Sequence, residues 1–182
     1  VKPYQPDGIW KTVTLLASKT RFYRQDHGKK LYRRSLYTFW KRAAPPASME
    51  IFNAPTREYC TVQRDRTNTP LQALVTMNDP QFIEAARHLA QGALREAGGS
   101  FDSQLDYMSL RLTARRFGKD ERKVSWEVYK DLLAYYQKNT KDAERLLAVG
   151  ESKRDLTFPE AESAALTMLA NQIMNLDEVL NK

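Results

Sequence analysis

Five of the six arginines in residues 33–66 are the side chains of this 182-residue chain best suited to bind a charged partner. The planar guanidinium group can hold a carboxylate or a sulfate through two hydrogen bonds, with a geometry that lysine lacks. Residues 19–66 contain 12 of the 29 Lys/Arg residues and only 4 of the 22 Asp/Glu residues, so the net charge of +7 is concentrated there. We therefore expect an anion-binding surface in this segment. Its candidate residues are Arg33, Arg34, Arg57, Arg64 and Arg66.

The same arginines could instead be structural. Arg57, Arg64 and Arg66 are close in sequence to Glu58 and Asp65, and they could pair with these carboxylates or with helix C-termini. Many ion pairs at protein surfaces contribute little to function or stability. On this second interpretation the arginines would fix an irregular segment of the chain.

The sequence contains no recognisable catalytic motif, so we assign no catalytic residue. Four carboxylates, Glu50, Glu58, Asp65 and Asp79, could take part in glycoside hydrolysis. That chemistry needs two of them at a defined separation in a cleft. Asp79 is better explained as a helix N-cap because Pro80 follows it.

Cysteine and histidine are too scarce to predict a metal or haem site. His27 and His88 have no partners at metal-ligand spacing, and no C-x-x-C-H motif is present. The single cysteine, Cys60, cannot form a disulfide within the chain, and we expect it to be a buried thiol. A catalytic thiolate would need a base, and residues 32–80 contain no histidine.

A helix start at residues 69–72 is the sharpest local signal. Thr69 can cap the helix, Pro70 suits its first position, and Gln72 completes a capping box. We expect this helix to run from Pro70 to Met77 and to stop at Asn78, with Leu71, Leu74 and Val75 facing inward. The pair Asp79-Pro80 repeats the start signal for the next helix.

The apolar spacing predicts that the C-terminal half is helical throughout. The predicted helices end near residues 97, 117, 138, 149 and 175, and the short connections between them favour an antiparallel bundle. The N-terminal half is less regular. There we expect a helix over 29–42, a short helix or strand over 10–17, extended pieces over 20–25 and 59–62, and an irregular segment over 47–63.

The predicted fold class is therefore mainly α. An irregular, arginine- and aromatic-rich part with short extended segments occupies 1–80, and an antiparallel helical bundle occupies 81–182; we expect the two to form one compact unit. No apolar run is long enough to cross a bilayer, and we expect the residues at the start of this sequence not to be a signal peptide, because no apolar segment follows them. Because the chain opens without Met in a proline-rich loop, we expect it to be a fragment of a longer protein.

Several strings within residues 32–80 resemble one protein family. They are RRSLYTFWKR, FNAPTREYC, RTNTPLQAL and Asn78-Asp79-Pro80, and the opening PYQPDGIW and closing NLDEVLNK are also similar. The family is a domain of unknown function abundant in planctomycetes, C-terminal in large proteins that also carry a planctomycete-type cytochrome c module. The resemblance implies an extracytoplasmic location, a missing N-terminal portion, and haem c only in a separate upstream module. Cys60 could then bridge to a cysteine in that missing portion.

We interpret the chain as an interaction or ligand-binding domain of such a protein. Its expected partners are the upstream domains of the same polypeptide, an acidic or sulfated glycan, or an acidic protein. The alternative is a part of an extracytoplasmic enzyme, a polysaccharide hydrolase or oxidoreductase component, whose active site is completed upstream. Basic residues among aromatics would also permit nucleic-acid binding, which we rank last because no recognition motif is evident.

Overall fold

A computed structural model of the chain describes residues 1–5, 8–14, 16–19 and 21–181. It contains two compact units, Val1–Gln72 and Ala73–Lys182. The boundary between them lies between residues 72 and 73. The sequence analysis divided the chain after residue 80. Within the described residues the regular structure is helical and includes no strand, so the prediction of a mainly α fold is confirmed, whereas the antiparallel order of the bundle stays a prediction.

Nine α-helices and two single turns of 3-10 helix account for the regular structure of the described residues. The helices are α1 Ile9–Thr12, α2 Ala47–Ile51, α3 Pro70–Asn78, α4 Pro80–Glu96, α5 Phe101–Thr113, α6 Lys119–Lys138, α7 Thr140–Leu147, α8 Glu160–Met174 and α9 Asp177–Leu180; the 3-10 turns are Gly28–Lys30 and Ser35–Tyr37. None of the helices in the described part of the chain is both long enough and apolar enough to cross a membrane.

Trp10 forms the centre of the first unit. Its side chain is 2% exposed and packs edge-to-face on Tyr23, with ring centroids 4.8 Å apart, and against Phe39 at 5.6 Å. The Lys41 ammonium group lies 4.7 Å from the centroid of the Trp10 ring. This small aromatic cluster fixes α1, whose four residues could not form a stable helix alone.

The predicted helix over Lys29–Arg42 is wrong. Only the two 3-10 turns form there, and Leu36 is 77% exposed. The backbone at Thr38 is extended, and the N–H of Phe39 donates to the carbonyl of Val1 at 2.8 Å. Tertiary hydrogen bonds thus replace the bonds that a helix would need, which overrides the local pattern.

Three further predictions for the first unit need correction. The segment 47–63 was expected to be irregular but begins with helix α2, and the pieces expected to be extended, over 20–25 and 59–62, are bends and coil in their described residues. The helix or strand predicted over 10–17 is only the end of α1. Leu15 and Thr20, which belong to these predictions, lie outside the described residues.

Helix α3 has the predicted start but a different buried face. The N–H of Thr69 donates to Gln72 Oε1 at 2.9 Å, and the N–H of Gln72 donates to Thr69 Oγ1 at 3.3 Å, which are the two bonds of a capping box. Leu71 and Leu74, expected inside, are exposed, whereas Gln72 and Thr76 are buried. Gln72 is held inward because its amide nitrogen donates to the carbonyl of Ile51 at 3.0 Å.

Helix α8 is the centre of the second unit. It packs against α4, α5, α6, α7 and α9. Its sequence ESAALTMLANQIM is rich in small and apolar residues, so nearly its whole circumference from Ser163 to Ile173 can be buried. The predicted apolar faces of α4 and α5 pack into the same core through Ala86, Ala90 and Leu105.

Helix α5 ends four residues earlier than predicted. The expected stop was Phe117 before Gly118, but α5 ends at Thr113 and Ala114 adopts a left-handed conformation with φ 60°. Its N-cap is Ser100, because the Ser100 hydroxyl accepts the N–H of Ser103 at 3.3 Å.

Arg115, in the α5–α6 connection, joins two carboxylates. Its guanidinium donates to Glu121 at 2.7 and 2.9 Å and to Glu178 at 2.8 Å. Glu121 also accepts the backbone N–H of Gly118 at 2.7 Å, which caps helix α6. These hydrogen bonds, above all those from Arg115, lower the pKa of Glu121 to about 2.

Replacing Arg115 by glutamine (R115Q) should therefore raise the pKa of Glu121. Because the folded-state pKa is the lower one, this pair stabilises the fold above pH about 4.3, the ordinary value for glutamate, and the stabilisation is lost as the pH falls towards 2. Carboxyl chemical shifts followed by NMR against pH will report the change.

In the control R95Q the pKa of Asp155 should rise, because Arg95 donates to it at 2.6 Å, and that of Glu121 should stay low. An unchanged pKa of Glu121 in R115Q would contradict the prediction.

Candidate functional site

Four of the five predicted arginines are exposed and uncommitted. The side chains of Arg33, Arg34, Arg64 and Arg66, which we call the arginine surface residues, make no hydrogen bond or ion pair with any other described residue. The alternative interpretation, in which Arg64 and Arg66 pair with Glu58 or Asp65, is therefore not met within the described part of the chain. These four guanidinium groups keep their hydrogen-bonding capacity for another molecule.

Arg57 differs from the other four because its side chain is already engaged. The guanidinium carbon lies 5.0 Å from the centroid of the Trp40 ring, and one terminal nitrogen is 3.5 Å from the carbonyl oxygen of Thr38. Its backbone has φ 67°, a left-handed conformation that is uncommon for a long side chain. Glu58 pairs with Arg42 at 2.9 Å and not with Arg57. Arg57 thus belongs to the structure of the loop.

The loop that carries Arg64 and Arg66 is fixed by polar side chains. The Asn53 amide nitrogen donates to Thr67 Oγ1 at 2.7 Å and to the carbonyl of Asp65 at 3.3 Å. The Gln72 amide nitrogen donates to the same Thr67 hydroxyl at 2.8 Å. The positions of Arg64 and Arg66 along this loop are therefore set by bonds to the neighbouring residues Asp65 and Thr67.

The helix starts offer few free donors to an anion. Asp79 Oδ1 accepts the N–H of Gln81 at 2.8 Å, so the first turn of α4 is capped as predicted, and Asn78 donates to the carbonyl of Leu74 at 2.8 Å. Partial burial raises the pKa of Asp79, although the bond from Gln81 acts against this. The residues expected to be structural here, Thr69, Pro70, Gln72, Asn78 and Asp79, all belong to these two helix ends.

Cys60 and three of the four candidate carboxylates lie at the surface. The prediction that Cys60 is a buried thiol is wrong, because its residue is exposed in a segment without regular structure. Glu50, Glu58 and Asp65 are exposed as well.

A buried polar cluster in the second unit was not predicted from the sequence. Arg87 on α4 is 1% exposed, and its guanidinium donates to the carbonyl of Leu147 at 2.6 Å and to that of Ser152 at 2.8 Å. Glu84 lies 3.5 Å from the same guanidinium and accepts the N–H of Ser152 at 2.6 Å. The Ser152 hydroxyl lies 2.6 Å from both Arg87 Nη2 and His88 Nε2.

Gly150 makes room for this cluster. A side chain at this position would place its Cβ 2.4 Å from the carboxyl carbon of Glu84, and the backbone has φ 91°. Glycine therefore allows the loop after α7 to approach α4 closely. In the sequence, Glu84, Arg87 and Gln91 recur at helical spacing beside the apolar stripe of α4. This spacing is the only sequence signal for the buried cluster, and it fits a solvent-exposed helix face equally well.

An apolar groove of about 370 Å³ lies between α6 and α8. Val124 and Val128 of α6 face Leu169 and Ile173 of α8 across it, and Asp120 also lines it. A groove of this size and lining can accept an aliphatic or aromatic group. Its lining residues contain none of the residues proposed from the sequence.

Comparison with known proteins gives a family and no closer relative. Residues 1–129 match the model of a family described as PSD1, protein of unknown function (DUF1553). Comparison with curated proteins and with solved structures found no match. The matched residues cover well over half of the 182 residues and include the arginine surface residues together with both helix starts. The chain therefore belongs to the PSD1 (DUF1553) family of proteins of unknown function.

Proposed function

We propose that this chain is a docking module that binds an acidic surface through Arg33, Arg34, Arg64 and Arg66. The observation that carries the proposal is that all four are exposed and that their side chains have no partner among the described residues. A guanidinium that is solvated in the free module can form a bidentate pair with a carboxylate or sulfate on binding. Arg57 is left out because it is engaged with Trp40 and Thr38.

Exposed apolar side chains in the same segments favour a docking surface over a surface whose charges are only solvated. Tyr32, Leu36 and Tyr37 adjoin Arg33 and Arg34 in the chain, and Tyr59 and Val62 precede Arg64; all five are more than half exposed. Aromatic residues and arginine are enriched in protein interfaces, where they supply both contact area and hydrogen bonds. A partner that covers these side chains would gain apolar burial as well as ion pairs.

The partner we favour is an upstream part of the same polypeptide. The motifs in residues 32–80 resemble domains that follow a planctomycete-type cytochrome c module, and this resemblance is the support for an extracytoplasmic setting with haem c outside this chain. A linked partner has a high effective concentration, so a polar interface of moderate affinity would be enough. An acidic or sulfated glycan is the competing ligand.

Reaction with phenylglyoxal, mapped by mass spectrometry, tests the proposal. In the 182-residue chain the four arginine surface residues should be modified quickly, while the buried Arg87 should stay protected and serve as an internal standard. In the full-length protein we expect the same four residues to become protected. Protection of all four already in the isolated chain would overturn the proposal.

If the four arginines stay reactive at full length, retention of the chain on a sulfated-glycan column tests whether the competing ligand, a sulfated glycan, binds them. The variant R33Q/R34Q/R64Q/R66Q should then elute at markedly lower salt than the parent chain. The matched control K119Q/K123Q/K138Q/K141Q removes the same charge from exposed positions on and beside α6. Equal losses in both variants would mean that only net charge matters, and would reject a specific arginine surface.

A further inference from the structure

The hydroxyl group of Ser152 lies between side-chain nitrogen atoms of two neighbouring residues of helix α4, Arg87 and His88. Its Oγ is 2.6 Å from Nε2 of His88 and 2.6 Å from Nη2 of Arg87. Ser152 is partly buried and His88 is exposed, so the hydroxyl can be reached at the edge of the protein. These residues belong to the second unit, apart from the arginine surface residues of the first.

The backbone of Ser152 already attaches the loop to α4. Its N–H donates to Glu84 Oε1 at 2.6 Å, and its carbonyl accepts from Arg87 at 2.8 Å. Any residue except proline could make these two bonds, so the attachment does not require a serine. The bonds do, however, hold the serine side chain in one place relative to the His88 ring.

The hydrogen-bonding roles at the hydroxyl are set by Arg87. A guanidinium can only donate, so Ser152 Oγ accepts from it and keeps its own hydrogen for another acceptor. Nε2 of a neutral His88 can accept that hydrogen when the ring carries its proton on Nδ1. A serine whose proton points at an imidazole and whose oxygen faces a fixed cation has the two features of an activated nucleophile.

We propose that Ser152 is a nucleophile towards carboxylic esters, with His88 as its general base. Ser152 Oγ would form a bond to the ester carbonyl carbon while its proton passes to His88 Nε2. The bond from that carbon to the alkoxy group then breaks, and His88 gives the proton to the departing alcohol. Water releases the acyl group as a carboxylic acid by the same route, which restores the serine. Arg87 acts as a positioning residue whose charge favours the developing alkoxide.

A fluorophosphonate probe tests this on the whole 182-residue chain. Attack by the serine oxygen on phosphorus expels fluoride and leaves a stable adduct that mass spectrometry can locate. We expect an adduct on Ser152, none in S152A, and a labelling rate about 100-fold lower in H88Q, within the range for loss of a general base. H27Q, which removes the other histidine, should label like the parent chain.

Ser103 is the internal comparison, because it is exposed and its hydroxyl contacts that of Ser100 at 2.8 Å. Labelling of Ser152 at the rate of Ser103, or equal rates in H88Q and the parent chain, would overturn the proposal. Nitrogen-15 NMR of the His88 ring gives a second readout that needs no reaction. The proposal requires the proton on Nδ1 in the neutral ring, and the opposite tautomer would reject it. Circular dichroism will verify that S152A and H88Q are folded.

Discussion

Replacement of Arg87 by methionine (R87M) is expected to lower the free energy of unfolding by about 3–5 kcal/mol. Methionine fills much of the same space, but it leaves the carboxylate of Glu84 buried without its cation and frees the carbonyls of Leu147 and Ser152. Urea unfolding followed by far-UV circular dichroism will measure the change. The result would show that one polar cluster connects α4 to the end of α7 and the loop that follows it.

R95M provides the matched control for R87M. Arg95 lies on the same helix and pairs with Asp155, but it is exposed, so the loss should be no more than about 1 kcal/mol. The double variant E84Q/R87M removes both charges and should recover part of the stability lost in R87M. If R87M and R95M cost the same, or if the double variant is less stable than R87M, the buried ion pair does not have the importance that we assign to it.

The sequence was most informative where structure depends on neighbours in the chain. The capping box of Thr69 and Gln72 and the cap by Asp79 satisfy backbone groups within three residues, so residue type and spacing were enough to predict them. The helix predicted over residues 29–42 failed because its backbone bonds to the first residues of the chain, 36 or more positions away. No local pattern contains that information.

The same difference between local and long-range information applies to the candidate sites. Exposed arginines could be predicted from a local excess of charge, and four of the five are indeed uncommitted among the described residues. The cluster of Arg87, His88 and Ser152 joins residues up to 65 positions apart, and each was unremarkable in its own stretch. Such a site becomes visible only when α4 and the loop after α7 are placed side by side.

The match to the PSD1 family ends at residue 129, within α6, yet the core of the second unit extends further. Helix α8 lies wholly beyond the match and is nonetheless the helix on which α4 and α6 are buried. A chain cut at residue 129 would expose Ala86, Ala90 and Leu105, which are fully buried. The C-terminal residues are therefore part of the same folding unit as the matched helices, and they also contribute Ser152.

Replacement of Trp10 by alanine (W10A) should cost the first unit about 3–5 kcal/mol, the usual range for a buried tryptophan. Tyr23 and Phe39 both pack on this ring, so its removal leaves no centre for the aromatic cluster, and a unit of this size has little stability to spare. Amide hydrogen exchange should accelerate across residues 1–72 and change little in α4 and α8. W126A removes a tryptophan that is 43% exposed and should have a smaller effect, confined to the second unit. Unchanged exchange in the first unit of W10A would mean that Trp10 is not its core, and the loop carrying Arg64 and Arg66 would then have to be fixed by its polar bonds alone.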